Sequence, residues 1–142
     1  FKNKIHIKGP QKIKSIKNIT TKEYEGFPTD LAPQFMVLLC KANGTSSITE
    51  NIFQGRFLHV MELQRLGAKI TIKNKTAIIK GKTNFMGAEV MSSDLRASAA
   101  LVLAGIIAKG KTIISRVYHC DRGYEKFENK LKKIGANIKR LK

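Results

Sequence analysis

The chain has 142 residues, of which 42% are hydrophobic, and a formal charge of +17. That length suits about one domain, and the hydrophobic share supports a buried core rather than a disordered chain. The longest small-apolar run, Ala97 to Ala108, falls short of the about 20 residues a bilayer span needs, so no transmembrane segment is expected.

Early alternating runs such as Ile5-His6-Ile7 and Ile13 to Ile19, with Gly9-Pro10 as a turn, read as short strands between Phe1 and Glu25. Thr29 or Asp30 then caps a helix whose apolar face is Leu31, Phe35, Leu38 and Leu39, with Pro33 in its first turn and Asn43-Gly44 as its stop. A strand over Thr45 to Thr49 precedes a second helix, starting near Arg56 and carrying Phe57, Val60, Met61 and Leu63 inward until Gly67. Lys69 to Lys73 and Thr76 to Lys80 alternate about Asn74-Lys75 as a hairpin. Ser93 or Asp94 caps a helix with Leu95, Ala99, Val102, Leu103 and Ile106 on one face. A strand from Thr112 to Val117, a helix with Tyr124, Phe127, Leu131 and Ile134 inward, and a strand from Asn137 to Leu141 complete an α/β pattern.

This pattern repeats. Asp30-Leu31, Gly44-Thr45, Arg56 and Leu66-Gly67-Ala68-Lys69-Ile70 recur about 65 residues later as Asp94-Leu95, Gly110 with Thr112, Arg122 and Ile134-Gly135-Ala136-Asn137-Ile138. Two internal repeats are therefore expected, at about 27–70 and 91–138. Each carries an acid and an arginine at matching places.

The charge suggests nucleic acid or another polyanion. Among the 27 cations, however, only Arg56, Arg65, Arg96, Arg116, Arg122 and Arg140 are arginine, and the lysines are spread along the whole chain as a solvated surface would be. No recognition helix, aromatic RNA-binding strand or glycine-rich nucleic-acid loop accompanies them. A basic, non-catalytic polyanion- or nucleic-acid-binding module is thus the alternative reading. Arginine is the more informative cation, because its rigid fork of donors fits carboxylate and phosphate.

Asp30 and Asp94 each open a predicted helix, where capping alone accounts for a carboxylate. Arg56 and Arg122 near helix starts face the unfavourable dipole end, which points to an anionic ligand or a nearby carboxylate. Gly105 to Thr112 fits G-x-x-x-x-G-K-T, but that loop needs a strand before it and a helix after it. Here the predicted order is reversed, and Gly110 reads as a helix stop. Cys40 and Cys120 lack metal-ligand spacing and read as free thiols of a cytoplasmic protein. Cys40 suits packing. Cys120, beside His119 and Asp121 before a helix, sits where a thiol pKa falls. His6, in a strand, and His59, on a helix, read as structural; His119 alone lies near a site. A chain opening on Phe1 rather than Met reads as a trimmed piece.

Phe27-Pro28-Thr29-Asp30-Leu31-Ala32-Pro33-Gln34-Phe35, Ile48-Thr49-Glu50-Asn51-Ile52-Phe53-Gln54-Gly55-Arg56-Phe57, Asp94-Leu95-Arg96-Ala97-Ser98-Ala99-Ala100-Leu101 and Tyr118-His119-Cys120-Asp121-Arg122-Gly123-Tyr124-Glu125 stand in order along the chain. Together they resemble the UDP-N-acetylglucosamine enolpyruvyl transferases (UDP-N-acetylglucosamine 1-carboxyvinyltransferases) of bacterial cell-wall synthesis, over roughly the last third of such an enzyme. The resemblance implies repeated β-α-β-α-β-β units forming part of an inside-out α/β barrel. It further implies transfer of enolpyruvate from phosphoenolpyruvate to the sugar 3′-hydroxyl of UDP-N-acetylglucosamine with release of phosphate, the first committed step of peptidoglycan synthesis.

Carried over by position, the resemblance makes Asp30, Asp94 and Arg122 catalytic, with Asp30 as the base near that hydroxyl. The Ile52 backbone contacts the nucleotide sugar. Arg56, Asp94, Leu95, Arg96 and Arg122 line the phosphoenolpyruvate side, with Arg122 nearest the anionic groups. The family's loop cysteine, its N-terminal lysine-asparagine pair and its first domain have no counterpart here, so the chain is expected to be half an active site and inactive alone. The expected partners are the two small-molecule substrates and an N-terminal domain of the same enzyme, not membrane or nucleic acid; no cofactor or metal is expected.

Overall fold

A computed structural model describes residues 3 and 5–141. Two strands and a hairpin make the first sheet. Ile19–Thr20 (β1) runs parallel to Thr45–Thr49 (β2), with Ile19 opposite Ile48. Lys69–Lys73 (β3) and Thr76–Lys80 (β4) form the predicted hairpin, and its turn holds Asn74 at φ +53, which asparagine tolerates better than most residues. β4 also pairs antiparallel with β2, giving the order β1-β2-β4-β3. A second sheet joins Glu89–Met91 (β5) and Ile113–Ser115 (β6) in parallel, Val90 opposite Ile114.

Parallel neighbours require crossovers. Ala32–Cys40 (α1) connects β1 to β2, and Leu95–Ile107 (α3) connects β5 to β6. α1 packs on β2, β4 and α3, while His59–Arg65 (α2) packs on α3, β3 and β5. α1 thus covers the first sheet, α2 touches both sheets and α3 packs on both of these helices, and the described residues form no closed barrel. Met36, Leu39, Ile48, Leu63, Leu66, Ile79 and Leu101 fill the space between them. α3 buries every residue from Ala97 to Val102, as a helix packed on several sides must, and its alanines admit close neighbours. Gly81 is similarly constrained: a Cβ there would lie 2.0 Å from the Ala42 carbonyl oxygen.

Several expected elements differ. Of the early strands only Ile19–Thr20 forms among the described residues, with isolated bridges at Lys14 and Thr21; Phe1, Lys2 and Lys4 lie outside those residues. Ile5 and Ile7 are exposed and His6 lies in no strand, because alternation without a partner strand has nothing to pack on. Asn137 to Leu141 likewise forms no strand. α1 turns Ala32, Met36, Val37, Leu39 and Cys40 inward and leaves Leu31 and Leu38 exposed. α2 starts at His59 rather than Arg56, and Met61 faces out. Leu103 and Ile106 lie on the exposed side of α3.

Tyr118–Asp121 (α4) holds His119 and Cys120, which the sequence places in a loop. Burial, then the Asp121 charge, raises the Cys120 thiol pKa, the reverse of the lowering expected for a loop thiol. Burial also pushes Cys40 up to about 12, in keeping with a packing role. Phe127–Lys133 (α5) buries Leu131, but Ile134 sits past its end in the turn made by Gly135 and is exposed. Gly110, at φ +90, follows α3 and precedes β6, so the G-x-x-x-x-G-K-T run is no phosphate loop. No helix among the described residues is long and apolar enough to cross a membrane.

The inward register of α3 is testable. Leu101→Ala should lower unfolding free energy by about 2–5 kcal/mol, whereas Leu103→Ala, at the surface, should cost about 1 kcal/mol or less, both read from urea denaturation midpoints.

Candidate active site

Asp30 does not cap α1. It lies in a 3-10 turn, Thr29–Leu31, ahead of the helix, and the residue at the helix start, Leu31, has no side-chain cap. Its exposed carboxylate instead draws two arginines: Arg56 Nη2 donates to Oδ1 at 2.5 Å and Arg96 Nε to the same oxygen at 2.7 Å. Among the described residues Oδ2 receives no protein donor. The Arg96 hydrogen bond is the chief cause holding the Asp30 pKa below the ordinary carboxylate value; burial opposes it, and the Arg96 and Arg56 charges add to it.

Each arginine is positioned locally. Arg56 sits in the turn before α2, with its guanidinium carbon 4.8 Å from the Phe53 ring centroid. Arg96 opens α3, two residues after Asp94. Asp94 is a helix cap: its Oδ1 accepts from the Arg96 amide at 2.8 Å and the Ala97 amide at 3.1 Å. Burial works against its charge, yet those amides and the Ser93 hydroxyl outweigh burial and lower its pKa.

Arg122 follows α4, at the helix end where a cation is favoured, so the dipole argument for an anionic ligand does not apply to it. It is exposed and makes no ion pair among the described residues. It is nevertheless kept near the start of α3, because Gly123 packs so tightly on Leu95 that a Cβ would lie 2.8 Å from Leu95 Cδ2. Tyr124 reaches α1, accepting from Gln34 Nε2 at 3.4 Å. The structure thus joins Asp30, Arg56 and Arg96 directly, sets Asp94 and Leu95 beside them, and leaves Arg122 next to that group without contact to Asp30. His119 makes its ring contact with Tyr118, at 4.3 Å between centroids, and not with these residues.

A cavity of about 540 Å³ opens beside Arg56, lined among others by Ile52, Phe53, Phe57, Ile72 and Lys75. Glu50 at its edge went unnoticed in the sequence, although period-two alternation along β2 turns Ser46, Ile48 and residue 50 inward together. A charged residue in the buried phase of a strand was the available signal. His59, expected to be structural, is buried; burial takes its pKa down to about 4, so it is neutral at physiological pH. No group of residues suited to holding a metal ion occurs among the described residues.

The α/β arrangement of these elements is that of the enolpyruvyl transferases. The solved enolpyruvyl transferase NikO from Streptomyces tendae matches with a TM-score of 0.84 and 28% identity, over 92% of this chain and 30% of its own. An EPSP synthase from Acinetobacter baumannii shares the fold at a TM-score of 0.65 and 17% identity, over 94% of this chain and 29% of its own. The family model for EPSP synthase (3-phosphoshikimate 1-carboxyvinyltransferase) matches residues 2–131, and the chain belongs to that family. Relatives named UDP-N-acetylglucosamine 1-carboxyvinyltransferase are 59% identical in Pelagibacter ubique and 55% in Geobacter metallireducens, each over 99% of this chain. The chain spans 33% of the length of those relatives.

The ion pairs of Asp30 carry a pH signature. Because its folded pKa is depressed, their contribution is complete above the unfolded value and fades as pH falls through the folded one. A carboxyl-carbon NMR titration should place the Asp30 midpoint below that of an exposed aspartate, and Arg96→Gln should move it upward. A midpoint unaffected by Arg96→Gln would remove Arg96 from the pair.

Proposed function

We propose that this chain is the part of a UDP-N-acetylglucosamine 1-carboxyvinyltransferase that carries the arginines and the base for enolpyruvyl transfer. The reaction joins the 3′-hydroxyl oxygen of UDP-N-acetylglucosamine to C2 of phosphoenolpyruvate and releases phosphate, opening peptidoglycan synthesis in the cytoplasm. The observation that carries this reading is the Asp30 carboxylate held between Arg56 and Arg96, with a cavity of substrate size lined by Arg56.

Asp30 takes the hydroxyl proton as the new C–O bond forms. C3 of phosphoenolpyruvate gains a proton in this addition and loses one when the C2–O bond to phosphate breaks. Two bound guanidinium groups keep Asp30 ionised but make it a weak base. A phosphoenolpyruvate anion competing for Arg56 and Arg96 restores basicity as it arrives, so the base becomes effective only once the acceptor carbon is present. Arg122, exposed and unpaired with any described carboxylate, is free to take the phosphate or carboxylate of the same substrate. Asp94 fixes the start of α3 and with it the backbone of Leu95 and Arg96. We also read 27–70 and 91–138 as two copies of one unit, supported by the parallel crossovers β1-α1-β2 and β5-α3-β6.

In a complete transferase carrying this segment, Asp30→Asn should lower turnover by about 10² to 10⁴, while the loss of exposed ion pairs should shift stability by less than about 1 kcal/mol. Near-normal phosphate release would contradict the base assignment. Arg122→Lys should weaken use of phosphoenolpyruvate by about 10-fold or more, since a point charge replaces a fork. Arg140→Lys, whose arginine pairs with Asp121 at 2.6 Å away from the Asp30 group, should change little. Equal effects would contradict the role of Arg122.

A further inference from the structure

Glu50 is 3% exposed, and no described cation lies within ion-pair distance of it. All of its hydrogen-bond partners are donors. Oε1 accepts from the Thr21 hydroxyl at 2.8 Å, the Ile52 amide at 2.7 Å and the Phe53 amide at 3.1 Å, while Oε2 accepts from the Thr29 hydroxyl at 2.8 Å. Thr21 Oγ1 in turn accepts from the Asn51 amide at 2.9 Å. One carboxylate and one hydroxyl thus bind the three successive amides that follow β2. Truncation of the acid would leave two main-chain amides and two hydroxyls without this acceptor. Burial opposes the charge, but these donors outweigh it and hold the carboxyl ionised.

The two oxygens serve different parts of the site. Oε1 fixes residues 51–53 at the rim of the cavity, and with its amide bound inward Ile52 has only its carbonyl left for a ligand. Oε2 holds Thr29, whose neighbour is Asp30. We propose that Glu50 is a positioning residue that sets the Ile52 main chain as a hydrogen-bond acceptor for the nucleotide sugar and fixes its distance from the Asp30 carboxylate. This rests on the functional reading above.

The test uses a complete transferase carrying this segment, assayed for phosphate release with both substrates and for melting temperature. Thr21→Val loosens only the cavity side and should raise KM for UDP-N-acetylglucosamine by roughly 5-fold or more with kcat nearly unchanged, the pattern of lost binding. Thr29→Val loosens only the Asp30 side and should lower kcat by a similar factor, with KM for the nucleotide sugar nearly unchanged. Glu50→Ala, which removes both oxygens, should do both, and KM for phosphoenolpyruvate should stay within about 2-fold in Thr21→Val. The proposal is overturned if Thr21→Val and Thr29→Val shift kcat and both KM values in parallel with melting temperature, or if neither shifts them. If Glu50→Ala does not fold, the two threonine variants decide alone. Absence of phosphate release by the unsubstituted enzyme overturns the functional reading itself, and this proposal with it.

Discussion

The Asp30 carboxylate is the point at which the two halves of the chain meet. Arg56 reaches it from the turn before α2, and Arg96 reaches it from the start of α3, across a sequence separation of 66 residues. Packing brings this contact together: α1, α2 and α3 share one core, so the turns at their starts converge at one end of it. The pair itself contributes little to stability, because Asp30 is exposed and solvent screens it. Its value lies in placing one acid and two rigid cations within reach of a common ligand.

Three carboxylates with the same chemistry hold different positions because their surroundings differ. Asp30 is exposed and bound by cations, which an anionic ligand can displace. Asp94 is half-buried and bound by amides at the start of a helix, where its partners are part of the backbone and stay in place. Glu50 is buried among donors with no cation paired to it among the described residues, which makes it the least displaceable of the three. Only the first arrangement leaves a group able to accept a proton from a substrate, and the other two keep the backbone around it in place.

Local signals carried much of the fold. The hairpin at Asn74, the strand Thr45–Thr49, the Asp94 cap and the glycine stop at Gly67 all depend on residues close in sequence, and all are present, whereas Gly44 and Gly110 lie beyond the caps that end α1 and α3. What failed depended on distant partners. The early isoleucines and the Asn137 to Leu141 run alternate as strands do but find no neighbour among the described residues. Helix faces were misjudged for α1 and α3 because both are surrounded on several sides, so a single apolar stripe does not describe them. At the site, the expected pairing of an acid and an arginine in each of two repeats points to Asp30, Arg56, Asp94 and Arg122, and the family resemblance adds Arg96; of these the structure joins Asp30, Arg56 and Arg96 directly. The expected capping role of Asp30 was wrong because the 3-10 turn intervenes, and Glu50 was missed because its partners Thr21 and Thr29 lie far behind it in sequence.

The central claim is that Asp30 exchanges its arginines for a substrate hydroxyl when phosphoenolpyruvate binds. A crystal structure of a complete transferase carrying this segment, with both substrates held in an inactive variant of a residue outside it, tests this directly. The account predicts guanidinium nitrogens of Arg96 and Arg122 within about 3.2 Å of phosphoenolpyruvate oxygens and Asp30 within the same distance of the sugar hydroxyl. Asp30 still bridged by Arg56 and Arg96, with phosphoenolpyruvate bound elsewhere, would contradict it.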